Sequence, residues 1–286
     1  MRQALALLAL AFTACATTPA TAPTSPAASP AATTATSPCS AGHTLINASL
    51  WVQSAAEYEA AALQTYGNAR RMLDAALADP TWSAMPGQNA TAAMPPAVIL
   101  DLDETVLDNV RFEARMVRAG KTYTPEDWLQ WVSESAAGTV PGAREFLEYA
   151  RGRGVTPFYI TGRKAVEEAA TLRNLQQLGL PLSAAEDTLF VRGERPEWDS
   201  GDKGPRREYV ASRYRVLLLV GDDLNDFVNA REKSQAEREE IMRTTAANWG
   251  TKWFMLSNPM YGSWEDAAAA GKDCEKVRNK IEALKP

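Results

Sequence analysis

Histidine is nearly missing from this chain. His43 is the single one in 286 residues. A His-rich zinc site is thereby excluded. A Ser-His-Asp triad would have one candidate base, far in sequence from any acidic motif. Basic residues are outnumbered, 30 Lys and Arg against 35 Asp and Glu, for a net charge of −5. A nucleic-acid-binding face needs the opposite balance, so no nucleic-acid polymer is expected as a partner. Charge of either sign is absent from Ala16 to Gly42. No internal repeat is visible. Cysteine occurs three times, at Cys15, Cys39 and Cys274.

The charge-free stretch consists mostly of Ala, Thr, Ser and Pro, with five prolines between Pro19 and Pro38. Such a segment buries too little apolar surface to fold and reads as an extended tether. Before it, residues 1–14 read as a signal peptide. Arg2 is a minimal positive region, and Ala4 to Phe12 is an apolar run too short to span a bilayer. Thr13-Ala14-Cys15 then resembles the lipobox of bacterial lipoproteins, with Phe12 where Leu is usual. It implies lipidation of Cys15, a tether over 15–42 and a folded domain over 43–286. The alternative is an ordinary cleaved signal. Cys39 and Cys274 flank the folded region, and domain ends often lie close together in space. In an exported protein they are a candidate disulfide, the alternative being two separate thiols.

The rest has ordinary globular composition, 45% hydrophobic and 23% charged over the whole chain. Its most informative stretch is Val98 to Asn109. An apolar run, Ala97 to Leu100, leads directly into Asp101 and Asp103. Carboxylates at the end of a buried strand need a metal or a hydrogen-bond network. In open α/β sheets the carboxyl ends of strands are also where ligands bind.

The pattern predicts a helix over 43–79, core strands over 97–102, 154–160, 187–191 and 214–220, and an edge strand over 253–256. Helices are expected over 164–178, over 203–213 and from Ser263 to the end. The strands are continuous apolar runs, as in a parallel sheet covered on both faces. The expected architecture is a Rossmann-like, three-layer α/β/α core. Roughly 50 residues separate the first two strands, more than a simple crossover helix needs. A small, mostly helical cap inserted after the first strand, over about 108–150, accounts for the excess.

Candidate site residues gather at one sheet edge. Asp101 and Asp103 follow the first strand, Thr161 and Gly162 the second, and Asp222 and Asp226 the fourth. Lys203 opens a helix. An Asp-rich, His-poor set suits a hard cation with oxygen ligands. Singly, an Asp after a strand is often just a helix cap.

Asp-Leu-Asp-Glu-Thr at 101–105 resembles the first motif of the haloacid dehalogenase superfamily of phosphohydrolases. Leu100 to Asn109 together with Gly221 to Phe227 is similar to a narrower group, the bacterial class C acid phosphatases. These are outer-membrane lipoprotein 5′-nucleotidases with four motif aspartates. The resemblance runs from about Leu45 to the C-terminus and includes Phe158 to Arg163 and Asn258 to Glu265. Two departures are Phe112, where the family commonly has Tyr, and Asp223, where it has Asn or Ser. The second is expected to add negative charge near the metal.

The resemblance implies Asp101 as nucleophile and Asp103 as acid and base, with a turn at Leu102 aiming both at the substrate. It implies Mg2+ held by Asp101, the Asp103 carbonyl, Asp222 and Asp226. Thr161 and Gly162 would meet the phosphate, and Lys203 would neutralise it. Arg206 would orient the acidic cluster or contact substrate, a surface role being equally open. Tyr123, Trp128, Trp131 and Tyr261 are candidates to stack on a nucleobase or aryl group. One of the two tryptophans is expected to do so with Tyr261; the alternative is cap packing, since Trp128 and Trp131 share one helix face.

The implied function is an exported, Mg2+-dependent acid phosphatase acting on small phosphomonoesters, nucleoside 5′-monophosphates included. It would be lipid-anchored to the outer membrane, facing the periplasm or the surface. A homodimer is compatible with this. The alternatives are a ligand-binding lipoprotein without turnover and a phosphotransferase on the same scaffold.

Overall fold

The computed structural model describes residues 44–89 and 93–285. The signal, Cys15, the tether, His43 and Cys39 lie outside them. Cys274 is disulfide-bonded.

Helices α1 (Ile46–Ser54) and α2 (Ala56–Ala78) lead into strand β1 (Pro96–Leu100). Next come β2 (Leu107–Asp108), α3 (Val110–Ala119), α4 (Pro125–Glu134), β3 (Gly138–Thr139) and α5 (Ala143–Gly152). The core continues with β4 (Thr156–Lys164), α6 (Glu168–Gln177), β5 (Leu189–Arg192), α7 (Gly204–Ala211) and β6 (Arg215–Gly221). Helix α8 (Gln235–Thr244), strand β7 (Trp253–Met255), α9 (Ser263–Ala268) and α10 (Asp273–Ala283) complete the chain.

Five strands form one sheet in the order β5-β4-β1-β6-β7, every pair parallel. Alternate residues of β1 feed two cores. Val98 and Leu100 join the layer of α2, α5 and α6; Ala97 and Ile99 join Phe158, Phe190 and Val210 on the other face. Both faces are thus covered, which is why the strands read as unbroken apolar runs. The chain leaves β1 toward β4 and β5, then returns to its other side as β6. The carboxyl ends of β1 and β6 therefore lie together at a topological reversal, the usual place for a ligand crevice.

The structure differs from the sequence pattern in several places. The helix expected over 43–79 is two, broken at Ala55, whose ψ is 125°. Nothing local requires the break. Val52 packs with Val110 and Met260, whereas Tyr66, Ala69 and Leu73 pack in the main core. Two burial partners divide one run of helix-favouring residues. The terminal helix likewise divides into α9 and α10, and β4 runs through Thr161-Gly162-Arg163 to Lys164 with a bulge. Helix α8 has no buried residue and escaped the apolar pattern. In the segment read as a cap, α5 packs on α2 and β4 and belongs to the core layer. Helix α3 packs on α1, and α4 packs on α6. Among the described residues no helix is long and apolar enough to cross a membrane.

Candidate active site

The first motif turns as soon as β1 ends. Leu102 O accepts from the N–H groups of Val106 and Leu107 at 2.8 and 2.7 Å. Glu104 sits in the left-handed region, at φ 59°, and its N–H donates to Leu107 O at 2.7 Å. This tight turn takes Asp101 and Asp103 out of strand alternation, and both line one cavity of about 850 Å3. Tyr66 supports the turn from α2 by donating to Thr105 O at 2.7 Å.

Asp101, Asp222 and Asp226 bring carboxylate oxygens within 4.8 Å of one another. Lys203, the N-cap residue of α7, places its ammonium between two of them. It donates to Asp101 Oδ1 and, at 2.6 Å, to Asp226 Oδ1. Burial by itself would lower the Lys203 pKa, but Asp101 and Asp226 more than reverse this and keep it protonated. Burial pushes Asp101 up to about 7; Lys203 opposes the rise, and Asp226 and Asp103 add to it. Asp222 is pushed well above the carboxylate range by burial and by the charges of Asp101 and Asp226. One ammonium among three carboxylates leaves the cluster short of positive charge. The donors are all hard oxygens, a set that fits a divalent cation.

The loop after β6 is shaped around Asp226. Its Oδ2 accepts from the N–H groups of Asp222 and Asp223 at 3.1 and 2.9 Å. A Cβ on Gly221 would stand 2.3 Å from that oxygen, so only glycine lets the carboxylate fold back there. Arg207, buried beneath, donates to the carbonyls of Asn225 and Asp226, each at 3.0 Å. Asp222 accepts from Thr105 Oγ1 at 3.0 Å and from Asn258 Nδ2 at 2.9 Å.

The Asp103 carboxylate does not join this cluster. Its partners are Arg163 and Asn109, which commit the side chain elsewhere. The sequence reading gave the metal only its carbonyl oxygen. Thr161 is fully buried, and its Oγ1 accepts from Arg163 N–H at 3.1 Å, leaving its own proton to donate. Gly162 is exposed and lines the cavity.

Two expectations are corrected. Arg206 is neither at the surface nor in the cavity: it is fully buried and donates to Thr161 O at 2.6 Å and Phe190 O at 3.3 Å. It ties the carboxyl ends of β4 and β5 together, and burial lowers its pKa to about 10. Trp131 does not line the cavity. Its indole is buried and donates to Asn109 Oδ1 at 2.8 Å. Asp223, expected to add negative charge near the metal, lines the same cavity as the acidic cluster, and its carboxylate also holds structure. It accepts from Asn225 N–H at 2.9 Å, Ser263 N–H at 2.6 Å and Ser263 Oγ at 2.5 Å. Those bonds pin the loop that carries Tyr261.

Tyr123, Trp128 and Tyr261 do line the cavity. Phe112 stands edge-on to Trp128 at 5.2 Å and fixes that wall. Arg163 lies 5.5 Å from the centre of the Trp128 ring.

Sequence reasoning passed over Arg163, Asn109, Thr105 and Asn258 as site residues. All four stand inside the motif stretches it quoted, so position could have flagged them. Their partners are set by folding alone.

Residues 20–264 match the family described as HAD superfamily, subfamily IIIB (acid phosphatase). The chain is similar to the solved structure of the class C acid phosphatase from Bacillus anthracis. Identity is 34%, the TM-score is 0.75, and the match covers 86% of this chain and 99% of that one. A second structure of that enzyme, with tungstate bound, matches at 33% identity and a TM-score of 0.74, over the same shares. With its parallel sheet and the acidic cluster at the carboxyl edge, the chain belongs to the acid phosphatases of HAD subfamily IIIB and is a phosphomonoester hydrolase.

Proposed function

We propose that the protein is an exported, Mg2+-dependent acid phosphatase that cleaves small phosphomonoesters, nucleoside 5′-monophosphates among them, through an aspartyl-phosphate on Asp101. The observation that carries this reading is the division of labour between two neighbouring carboxylates. Asp101 is paired with Lys203 inside the acidic cluster, whereas Asp103 is held apart by Arg163.

A carboxylate nucleophile has to approach a phosphate dianion. Lys203 lowers that repulsion by bonding Asp101 and standing ready for the phosphoryl oxygens. Asp101 attacks phosphorus, the P–O bond to the leaving group breaks, and Asp103 gives its proton to the departing alkoxide. Asp103 then takes a proton from water, which attacks phosphorus and returns Asp101 free with release of phosphate. The Thr161 hydroxyl, whose own proton is not used in its bond with Arg163 N–H, would donate to a phosphate oxygen. HAD phosphatases use divalent metal ions, and here Asp101, Asp222, Asp226 and the Asp103 carbonyl would hold Mg2+. When bound, it would screen carboxylate from phosphate.

The aromatic wall of Tyr123 and Trp128, with Tyr261, supports a planar leaving group such as a nucleoside. The disulfide at Cys274 supports export, because disulfides persist in oxidising compartments. Lipidation of Cys15 and attachment to the outer membrane extend the same reading.

A phosphate-release screen with Mg2+ over 5′- and 3′-nucleoside monophosphates, sugar phosphates and p-nitrophenyl phosphate tests the substrate. Preference for 5′ over 3′ monophosphates is expected. Asp101→Asn should stay folded and lose turnover; undiminished hydrolysis by that variant would end the mechanism. Mass analysis of the exported protein for a diacylated Cys15 tests the anchor.

A further inference from the structure

Asn109 is fully buried and meets Asp103, Trp131 and Arg163 at once. Its Nδ2–H donates to Asp103 Oδ1 at 2.9 Å. Its Oδ1 accepts from Trp131 Nε1–H at 2.8 Å and from Arg163 Nη2 at 3.4 Å. Its backbone N–H donates to Glu104 Oε1 at 2.9 Å, which fixes the residue at the exit of the turn.

A carboxamide can show a neighbour either its oxygen or its NH2. Oxygen toward Asp103 would set acceptor against carboxylate. The choice is made on the other side, because an indole N–H can only donate. Trp131 therefore holds the Asn109 oxygen, and the NH2 must turn to Asp103. Burial of Asn109 and Trp131 makes the wrong orientation costly, since it would leave a donor and an acceptor unpaired.

The consequence falls unequally on the two oxygens of Asp103. Oδ1 accepts from Arg163 Nη2 at 2.7 Å, Arg163 Nε at 3.0 Å and Asn109 Nδ2 at 2.9 Å. Among the described residues, Oδ2 accepts one hydrogen bond, from Arg163 Nε at 3.2 Å. A carboxyl group whose Oδ1 is saturated with donors has Oδ2 left for exchange with another group.

We propose that Trp131 and Asn109 form a positioning relay from α4 to the first motif, which locks the Asp103 rotamer and reserves Oδ2 for proton exchange with the leaving group. Trp131 and Asn109 are positioning residues: neither touches the reacting atoms. Helix α4 thereby contributes to the chemical step as well as to the cavity wall. The inference rests on the acid/base role proposed above for Asp103.

Trp131→Phe keeps the ring and removes the one N–H. The variant should be compared on an alkyl phosphate, whose alkoxide needs a proton to leave, and on p-nitrophenyl phosphate, whose leaving group needs little help. General acid catalysis is worth roughly 10²–10⁴-fold, so partial loss should cost about tenfold in kcat/KM on the alkyl ester and under about twofold on the aryl ester. KM should hold. Parallel losses on both esters, or none, would overturn the relay. Asn109→Asp, which keeps the shape and removes the donor, should show the same selective loss and serves if the first variant does not fold. Asp103→Asn is the control. If it loses alkyl turnover while Trp131→Phe shows no selectivity, the relay fails and the acid/base reading stands; if it retains alkyl turnover, the acid/base reading fails.

Discussion

Arg163 grips Asp103 from the far end of β4. Nη2 meets Oδ1 at 2.7 Å, and Nε lies 3.0 and 3.2 Å from the two oxygens. The guanidinium is itself buried and donates from Nη1 to Thr171 Oγ1 at 3.1 Å, so it cannot swing. An extended β4 makes the contact, because the strand carries past Thr161 to Lys164.

Arg163→Lys keeps the charge and loses the planar fork. A lysine can reach one oxygen but cannot hold the plane of the carboxyl group. Misplacement by about 1 Å costs on the order of 10²-fold in rate, so kcat should fall by at least about tenfold. Steady-state kinetics on a 5′-monophosphate would show it. Wild-type kcat in the lysine variant would remove Arg163 from the account.

Asp101, Asp222 and Asp226 face one ammonium, so a divalent cation should stabilise the fold. Binding to the native state alone adds about 2.7 kcal/mol at 100 times Kd. Thermal melting with and without Mg2+ should show a rise for the wild type and a much smaller one for Asp222→Asn. An equal rise in both would place the cation elsewhere.

Glu113 lines the cavity and is buried, with Glu265 as a like-charged neighbour. Burial first, then Glu265, pushes its pKa up to about 7 from an ordinary 4.5. The folded state holds the proton more tightly than the unfolded chain. Its stabilising effect is complete below about pH 4.5 and is lost as pH rises through 7, by up to about 3 kcal/mol. The urea midpoint should therefore drop between pH 5 and pH 8, and drop less in Glu113→Gln. Identical declines would show that Glu113 is not the source.

Asp223→Asn can no longer accept from both the N–H and the hydroxyl of Ser263 through charged oxygens. Bonds to a charged acceptor are worth roughly 1.5–3 kcal/mol each, so the loop bearing Tyr261 should loosen. KM for nucleoside monophosphates is expected to rise severalfold with little change in kcat, and p-nitrophenyl phosphate is expected to be less affected. A fall in kcat with constant KM would point to the acidic cluster instead.

The residues from Ala97 to Asn109 already told most of what local chemistry can tell. Apolar runs ending in aspartates specify buried parallel strands with acidic carboxyl ends, because such strands need cover on both faces and a partner for the charge. Asp101, Asp222 and Asp226 were legible in that way, and so was the α/β architecture, whereas the role of Lys203 came from the resemblance. Folding alone decided what each side chain touches. Trp128 and Trp131 are three residues apart on one helix, yet one lines the cavity and the other bonds Asn109. Arg206 was open between a role in the site and one at the surface and is a buried clasp between strands, whereas Asp223 read only as extra charge and also anchors a loop. Periodicity reports which face of an element is apolar. It carries nothing about which polar group, 60 positions away in the case of Asp103 and Arg163, will arrive to pair with it.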